Sequence, residues 1–263
     1  MDTSQIIETA HALADAARQA VLPYFRAQNL SADNKLAGQG FDPVTEGDRA
    51  AERAMRDLLE QLRPDDAILG EEFGHRQGTS GLTWVLDPID GTRGFLSGTP
   101  NWGVLIAVAD DTGPIYGIID QPYIGERFEG GLGRTGMTGP QGPRALGVRG
   151  NRPLAHSILF STFPEIGHPD EKAAFDAVSS QVQLTRFGMD CYAYALLAAG
   201  QIDLVIECGL HPYDINAPIA VIEAAGGIVT DWQGNPAHGG GRVLAAAGRE
   251  QHDAALAALS RLI

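Results

Sequence analysis

Apolar side chains recur three and four residues apart at Ile6, Ile7, Ala10, Leu13, Ala14, Ala17, Val21, Leu22 and Phe25. That spacing predicts an amphipathic helix over 4–27, with Thr3 or Ser4 as its cap. A polar, Gly-containing stretch, Asn29–Phe41, separates it from a second helical pattern over 46–62. There Ala50, Ala51, Ala54, Met55, Leu58, Leu59 and Leu62 share one side, and Pro64 stands just beyond as a stop. The rhythm then changes to short apolar runs divided by turn residues: Ala67–Leu69, Trp84–Leu86, Gly103–Val108 and Ile115–Ile119. These read as strands. Gly130–Gly147 is dense in Gly and Pro and reads as hairpins and loop; it lacks the Walker pattern of a nucleotide cradle.

From there on the pattern alternates. Strands are predicted at Ser157–Ser161, Gln183–Phe187, Leu204–Glu207, Gly227–Thr230 and Val243–Ala247. Helices are predicted at Pro169–Gln181, Cys191–Ala199, Ile215–Ala225 and Arg249–Leu262. Alternation of this kind builds layers of sheet and helix. A boundary placed near Gly150 divides the chain into an N-terminal α+β domain, 1–150, and a C-terminal α/β domain, 151–263.

Composition narrows the classes. Apolar residues make up 44% of the 263, enough for a substantial core. Glu8, His11 and Asp15 interrupt the first apolar segment, so it does not read as a signal peptide, and no apolar run is long enough to span a membrane. The two cysteines, Cys191 and Cys208, suit packing positions in a reducing cytoplasm better than a disulfide framework. A formal net charge of −14 argues against nucleic acid as a partner. It agrees with an enzyme that gathers divalent cations or a cationic substrate, although composition alone favours a merely acidic surface.

The acidic residues that change the picture lie in four segments: Asp42–Asp48, Gly70-Glu71-Glu72, Asp87-Pro88-Ile89-Asp90-Gly91-Thr92, and Tyr213-Asp214. Asp87 ends an apolar run, and Pro88 is expected to stop the strand from continuing in a sheet interior. Asp90-Gly91-Thr92 reads as a tight turn, with Gly91 free to take an unusual backbone conformation. One such segment alone is an ordinary surface turn. Several carboxylates at strand ends repel one another unless a cation holds them, and an oxygen-only donor set suits magnesium. Backbone N–H groups exposed by the turn suit a phosphate oxygen.

These segments, with Ala217-Pro218 and Glu223-Ala224-Ala225-Gly226-Gly227 behind Asp214, resemble the inositol monophosphatase family along essentially the whole chain. The resemblance implies a layered αβαβα sandwich, a homodimer, and two to three Mg2+ ions. It assigns one ion to Glu71, Asp87 and the Ile89 carbonyl, a second to Asp87, Asp90 and Asp214, and a weaker third to Glu71 near Asp48. Asp48 and Thr92 would orient and deprotonate a cation-activated water, with Glu71 beside them in the catalytic set. Gly91 and Thr92 N–H groups would hold the phosphate, and no phosphoenzyme is required. Lys35 matches a family lysine near the metals, at a slightly longer spacing from Asp48.

Within the family, Arg93-Gly94-Phe95 followed by Trp102-Gly103, the stretch Asp120–Arg127, and Gly188–Tyr194 resemble the histidinol-phosphate phosphatase branch most closely. Histidinol phosphate carries an ammonium group and an imidazole, so its pocket should offer negative charge beyond the metals. Asp190 and Glu207 are the expected suppliers. Asp190 could also cap the helix beginning at Cys191, and the two roles are compatible. Asn101 is a further expected contact, and Arg93 is expected to brace its loop or touch phosphate. His211 is expected to be structural, because magnesium prefers oxygen. The alternatives are a phosphatase for inositol 1-phosphate or another small sugar phosphate, and a regulatory binding protein acting without catalysis.

Overall fold

The computed structural model describes residues 2–28, 31–34 and 43–261. Lys35 and most of Asn29–Phe41 lie outside the described residues. Helix α1 (Thr3–Val21) is capped by Asp2, whose carboxylate accepts the Gln5 N–H at 3.2 Å, rather than by Thr3 or Ser4. It ends before Pro23, earlier than the apolar spacing suggests, because proline cannot continue the ladder. Strands β1 (Ala32–Asn34) and β2 (Pro43–Thr45) pair antiparallel and lead into α2 (Glu46–Leu62), which begins and ends where the sequence places it.

A seven-stranded sheet follows, from β3 (Ala67–Gly70), β4 (Gly74–Arg76), β5 (Thr83–Asp90), then after α3 (Thr92–Ser97) from β6 (Gly103–Asp110), β7 (Gly113–Gln121), β8 (Glu126–Gly131) and β9 (Arg134–Thr138). Its order is β4-β3-β5-β6-β7-β8-β9, antiparallel except for the β3–β5 pair. The predicted loop thus contains the β9 hairpin arm. Strands β10 (Ile158–Ser161), β11 (Leu184–Phe187), β12 (Leu204–Leu210), β13 (Ile228–Thr230) and β14 (Gly241–Ala246) form a second sheet in the order β11-β10-β12-β14-β13. Helices α4 (Pro169–Ser179), α5 (Cys191–Ala198), α6 (Pro212–Ala224) and α7 (Arg249–Leu259) complete the chain. Gly150 falls in the connection between the two sheets.

The layers run α1 and α2, the seven-stranded sheet, α5 and α6, the five-stranded sheet, then α4 and α7. This is the αβαβα sandwich. Both faces of the large sheet are buried, as the period of two requires. Trp84, Leu86, Val104, Ile106 and Val108 pack with α1 and α2, and Val85, Leu105, Ala107 and Ile119 pack on the opposite side with α5 and α6. Helix α6 lies directly on the sheet because β7 and β8 present glycines to it. A Cβ on Gly117 would come within 2.5 Å of the Ala217 carbonyl oxygen, and one on Gly130 within 2.5 Å of the Val221 Cα. That close approach brings the start of α6, and Asp214 with it, toward the ends of β3 and β5. Among the described residues, no helix is long and apolar enough to cross a membrane.

One buried carboxylate ties the end of α2 to the sheet. Asp66, 2% exposed, accepts hydrogen bonds from Arg63 Nε at 2.6 Å and from the indole N–H of buried Trp84 at 2.8 Å. Burial alone would raise its pKa, but Arg63, Ser80 and Trp84 outweigh it and hold the group below the ordinary carboxylate value. A depressed folded pKa contributes stability that is complete above the unfolded value, near 3.8, and is lost as pH falls through the lower folded one. Asp66→Asn should therefore cost about 2 kcal/mol near neutrality. Urea denaturation across pH should show the gap to the parent closing under acid conditions; a gap independent of pH would contradict this role.

Candidate active site

Strand β5 does not stop at Asp87. It runs through Pro88 to Asp90, because Pro88 lies where neither neighbour needs its N–H: the β3 ladder ends at the Gly70–Leu86 pair, and the β6 register shifts between Asp87 and Asp90. Asp87 Oδ1 accepts the Ile89 N–H at 3.0 Å, folding the carboxylate back over the irregularity. Gly91 then takes a left-handed conformation (φ 85°, ψ 38°) and starts the short helix α3 at Thr92. A Cβ on Gly91 would lie 3.1 Å from the Cβ and Cγ of Asp190, so this turn also sits flat against the second half of the chain.

Asp48 is fully buried in the first turn of α2. Its Oδ2 accepts the Thr45 N–H at 2.8 Å and the Thr45 hydroxyl at 2.5 Å, while Thr45 Oγ1 caps Gly47 N–H. Its Oδ1 is left for the Thr92 hydroxyl at 3.4 Å, which also reaches the Ile89 carbonyl at 3.1 Å. Burial pushes the Asp48 carboxyl up to about 7, against the opposing effect of its Thr45 hydrogen bonds.

Glu71 follows β3, with its N–H on the Leu86 carbonyl at 3.2 Å, and faces the same cleft. The turn carrying it is held by Glu52, a fully buried carboxylate that sequence reasoning passed over. Glu52 accepts the Glu72 N–H at 2.7 Å, the Phe73 N–H at 3.2 Å and Arg56 Nε at 2.7 Å. The signal was available: an acid on the apolar side of α2, beside Ala51 and Met55, needs buried donors.

Asp87, Asp90 and Asp214 come together, each with a carboxylate oxygen within 4.8 Å of the others. Asp214 is held by the His211 N–H at 2.6 Å. Asp90 Oδ1 accepts the Cys191 N–H at 2.7 Å, so it is Asp90, from the other half of the chain, that caps α5. Asp190 makes no side-chain cap there. Burial, followed by repulsion from Glu71, Asp90 and Asp214, drives the Asp87 pKa well up; burial, then Asp190 and Asp214, does the same to Asp90. Buried acids forced against one another with only oxygen donors fit a hard divalent cation, which would convert the repulsion into ligation.

The cluster opens into a cleft of about 410 Å³ walled by Glu71, Asp90, Asp190, Glu207, Tyr194 and Asp214 among others, with Arg93 and His211 as its only basic side chains among the described residues. Glu207 Oε1 accepts the Thr162 N–H at 2.7 Å and hydroxyl at 2.9 Å, and burial raises its pKa to about 8. Burial also raises Asp190, to about 6, against a hydrogen bond from Asn101 and the charge of Arg93. The Arg93 guanidinium lies 4.7 Å from the Phe163 ring centroid, bridging the two walls. Asn101 stands behind Asp190 and is not part of the wall. His211 stacks on Tyr213 at 5.1 Å and begins α6. The buried Tyr194 hydroxyl has no hydrogen-bond partner among the described residues, a feature no sequence pattern signalled.

Comparison with known proteins agrees with this fold. The sequence model of the inositol monophosphatase family matches residues 2–263. A bifunctional phosphatase IMPL2 of Arabidopsis thaliana is 42% identical over 85% of the chain, although the chain spans only 63% of that protein's length. A histidinol-phosphatase of Mycobacterium tuberculosis is 34% identical, with 95% of each chain covered. Among solved structures, an inositol monophosphatase from Zymomonas mobilis superposes with a TM-score of 0.85 at 37% identity over 99% of both chains. The protein is thus a phosphatase of a metal-dependent class. It belongs to the inositol monophosphatase family.

Removing one acid should separate repulsion from ligation. Without divalent cation, Asp87→Asn should melt no lower than the parent, since it replaces a buried carboxyl whose ionised form its neighbours repel. With cation at about 100 times Kd the parent should gain roughly 2.7 kcal/mol and the variant far less. An equal gain in both, followed by thermal unfolding, would show that Asp87 holds no ion.

Proposed function

We propose that the protein hydrolyses histidinol phosphate to histidinol and phosphate, with Mg2+ at two to three positions. The observation that carries this reading is the wall beyond the ion cluster, where Asp190 and Glu207 add carboxylates facing the space the leaving alcohol would fill. An ammonium or imidazolium group is attracted by Asp190, and by Glu207 once the cation displaces the proton that burial favours, whereas a neutral polyol gains nothing from the added charge. The similarity to histidinol-phosphatases supports the same reading. The second reading, inositol 1-phosphate or another small sugar phosphate, draws on the close structural likeness to an inositol monophosphatase.

Glu71, Asp87 and the Ile89 carbonyl would hold one ion, Asp87, Asp90 and Asp214 a second, with Glu71 near Asp48 offering a weaker third. Bound there, Mg2+ supplies a water of lowered pKa and neutralises charge developing on the phosphoryl group. The chain's own residues do the rest. Thr92 Oγ1 orients the attacking water and relays its proton to Asp48 Oδ1, which stands 3.4 Å away. Thr45 fixes Asp48 from behind through two hydrogen bonds. The Gly91 and Thr92 N–H groups at the start of α3 hold phosphate oxygens. The water oxygen bonds to phosphorus as the ester P–O bond breaks, and the departing alkoxide takes a proton from solvent in the cleft. Arg93, held over Phe163, braces the α3 turn against the opposite wall.

Steady-state phosphate release should favour histidinol phosphate over inositol 1-phosphate by about 100-fold in kcat/KM, roughly 2.7 kcal/mol of transition-state binding. Asp190→Asn should narrow that ratio. A preference for inositol 1-phosphate would overturn the substrate reading and leave the metal site standing. Asp48→Asn should lower kcat by about 10²- to 10³-fold on either ester, within the range expected for a lost general base; an unchanged kcat would remove Asp48 from the proton path.

A further inference from the structure

Asp190 is held in a backbone conformation that side chains avoid, φ 47° and ψ −141°. Strain of that kind persists only where the surroundings over-determine it. The surroundings are specific. On the C-terminal side, the Cys191 N–H is fixed to Asp90 Oδ1 at 2.7 Å. On the N-terminal side, the Gly188 N–H reaches the carbonyls of Ser161 at 3.1 Å and Thr162 at 3.0 Å. Between these anchors, the side-chain amide of Asn101 spends both its protons on this one segment, donating to Asp190 Oδ2 at 2.9 Å and to the Gly188 carbonyl at 3.0 Å. Asn101 is 8% exposed and stands behind the carboxylate, while the carboxylate itself lines the cleft. The Gly91 turn closes the remaining side, where a Cβ would stand 3.1 Å from the Cβ and Cγ of Asp190.

Resting on the substrate reading above, we propose that Asn101 is a positioning residue that sets the specificity of the cleft for a phosphate ester whose alcohol carries a cationic nitrogen. It does so by clamping Asp190 against the cleft wall in its strained conformation. Asn101 has two N–H donors and thereby keeps Asp190 an acceptor toward the cleft; a residue without donors would let the carboxylate relax away from the wall. Asn101 itself does not touch the substrate.

The test compares Asn101→Ala and Asp190→Asn with the parent, each saturated with Mg2+, on histidinol phosphate and on inositol 1-phosphate. Asn101→Ala should lower kcat/KM for the cationic ester about tenfold more than for the neutral one, with the loss appearing in KM and not in kcat. Asn101→Ser, which restores one donor, should recover part of that discrimination, and it serves as the test variant if the alanine form does not fold. Equal losses on both esters would show a merely structural asparagine and overturn the proposal. Discrimination lost in Asp190→Asn but intact in Asn101→Ala would overturn the clamp while keeping Asp190 as the cation reader. Discrimination unchanged in both variants would overturn the cationic-substrate reading itself, and the clamp with it.

Discussion

The structure depends on forcing like charges together. Asp87 and Asp90 come from the end of one strand and Asp214 from the first turn of a helix more than a hundred residues later, and their oxygens meet within 4.8 Å around the buried Asp87. In the absence of a cation this is a liability, expressed as upward pKa shifts of Asp87 and Asp90. The fold overcomes it with packing that leaves the acids no alternative. Glycines on β7 and β8 let α6 settle onto the sheet, and the irregular end of β5 turns Asp87 and Asp90 to meet the helix. The energy stored in that arrangement is what a divalent cation would release on binding.

The same junction links the halves of the chain. Asp90 caps α5, Asp214 closes the first turn of α6, and Arg93 reaches Phe163 across the cleft. Groups that would hold ions are therefore also fixed points of the fold. This explains why the neighbouring Asp190 can be kept in an unfavourable backbone state: its next peptide is anchored to the cluster, and its side chain is held from behind. The site and the pocket wall share their anchoring hydrogen bonds.

Much of this was legible in the sequence. Helix α2 has a strong apolar stripe and a threonine cap, and it forms where the pattern places it. The alternation of strands and helices after residue 150 gave the second sheet to within a few residues, because each element is bounded by glycine, proline or a cap. What was not legible has physical reasons. Strand β4 and helix α3 are too short for periodicity, β8 ends in glycines of which Gly130 admits α6, and β9 lies in the glycine-rich stretch that reads only as hairpins and loop. Pro88 suggested a strand end because the register shift that tolerates it depends on β6, not on local sequence. The cap of α5 comes from a residue 101 positions away, beyond any local rule. For the candidate site, residue types and spacings pointed to the acids, whereas the supporting contacts of Glu52, Asn101 and Thr162 are long-range and appear only when the chain is folded.

The central claim is that buried, mutually repelling carboxylates form the ion site. The most direct measurement is proton exchange during Mg2+ titration of the purified protein, in weakly buffered solutions at a series of pH values from the ordinary carboxylate range upward. If burial and repulsion hold Asp87 and Asp90 protonated above the ordinary carboxylate range, binding must displace those protons, and the solution acidifies in proportion to the sites filled. Saturable binding with net proton release is the predicted result. Binding without proton release, or no binding, would contradict the account.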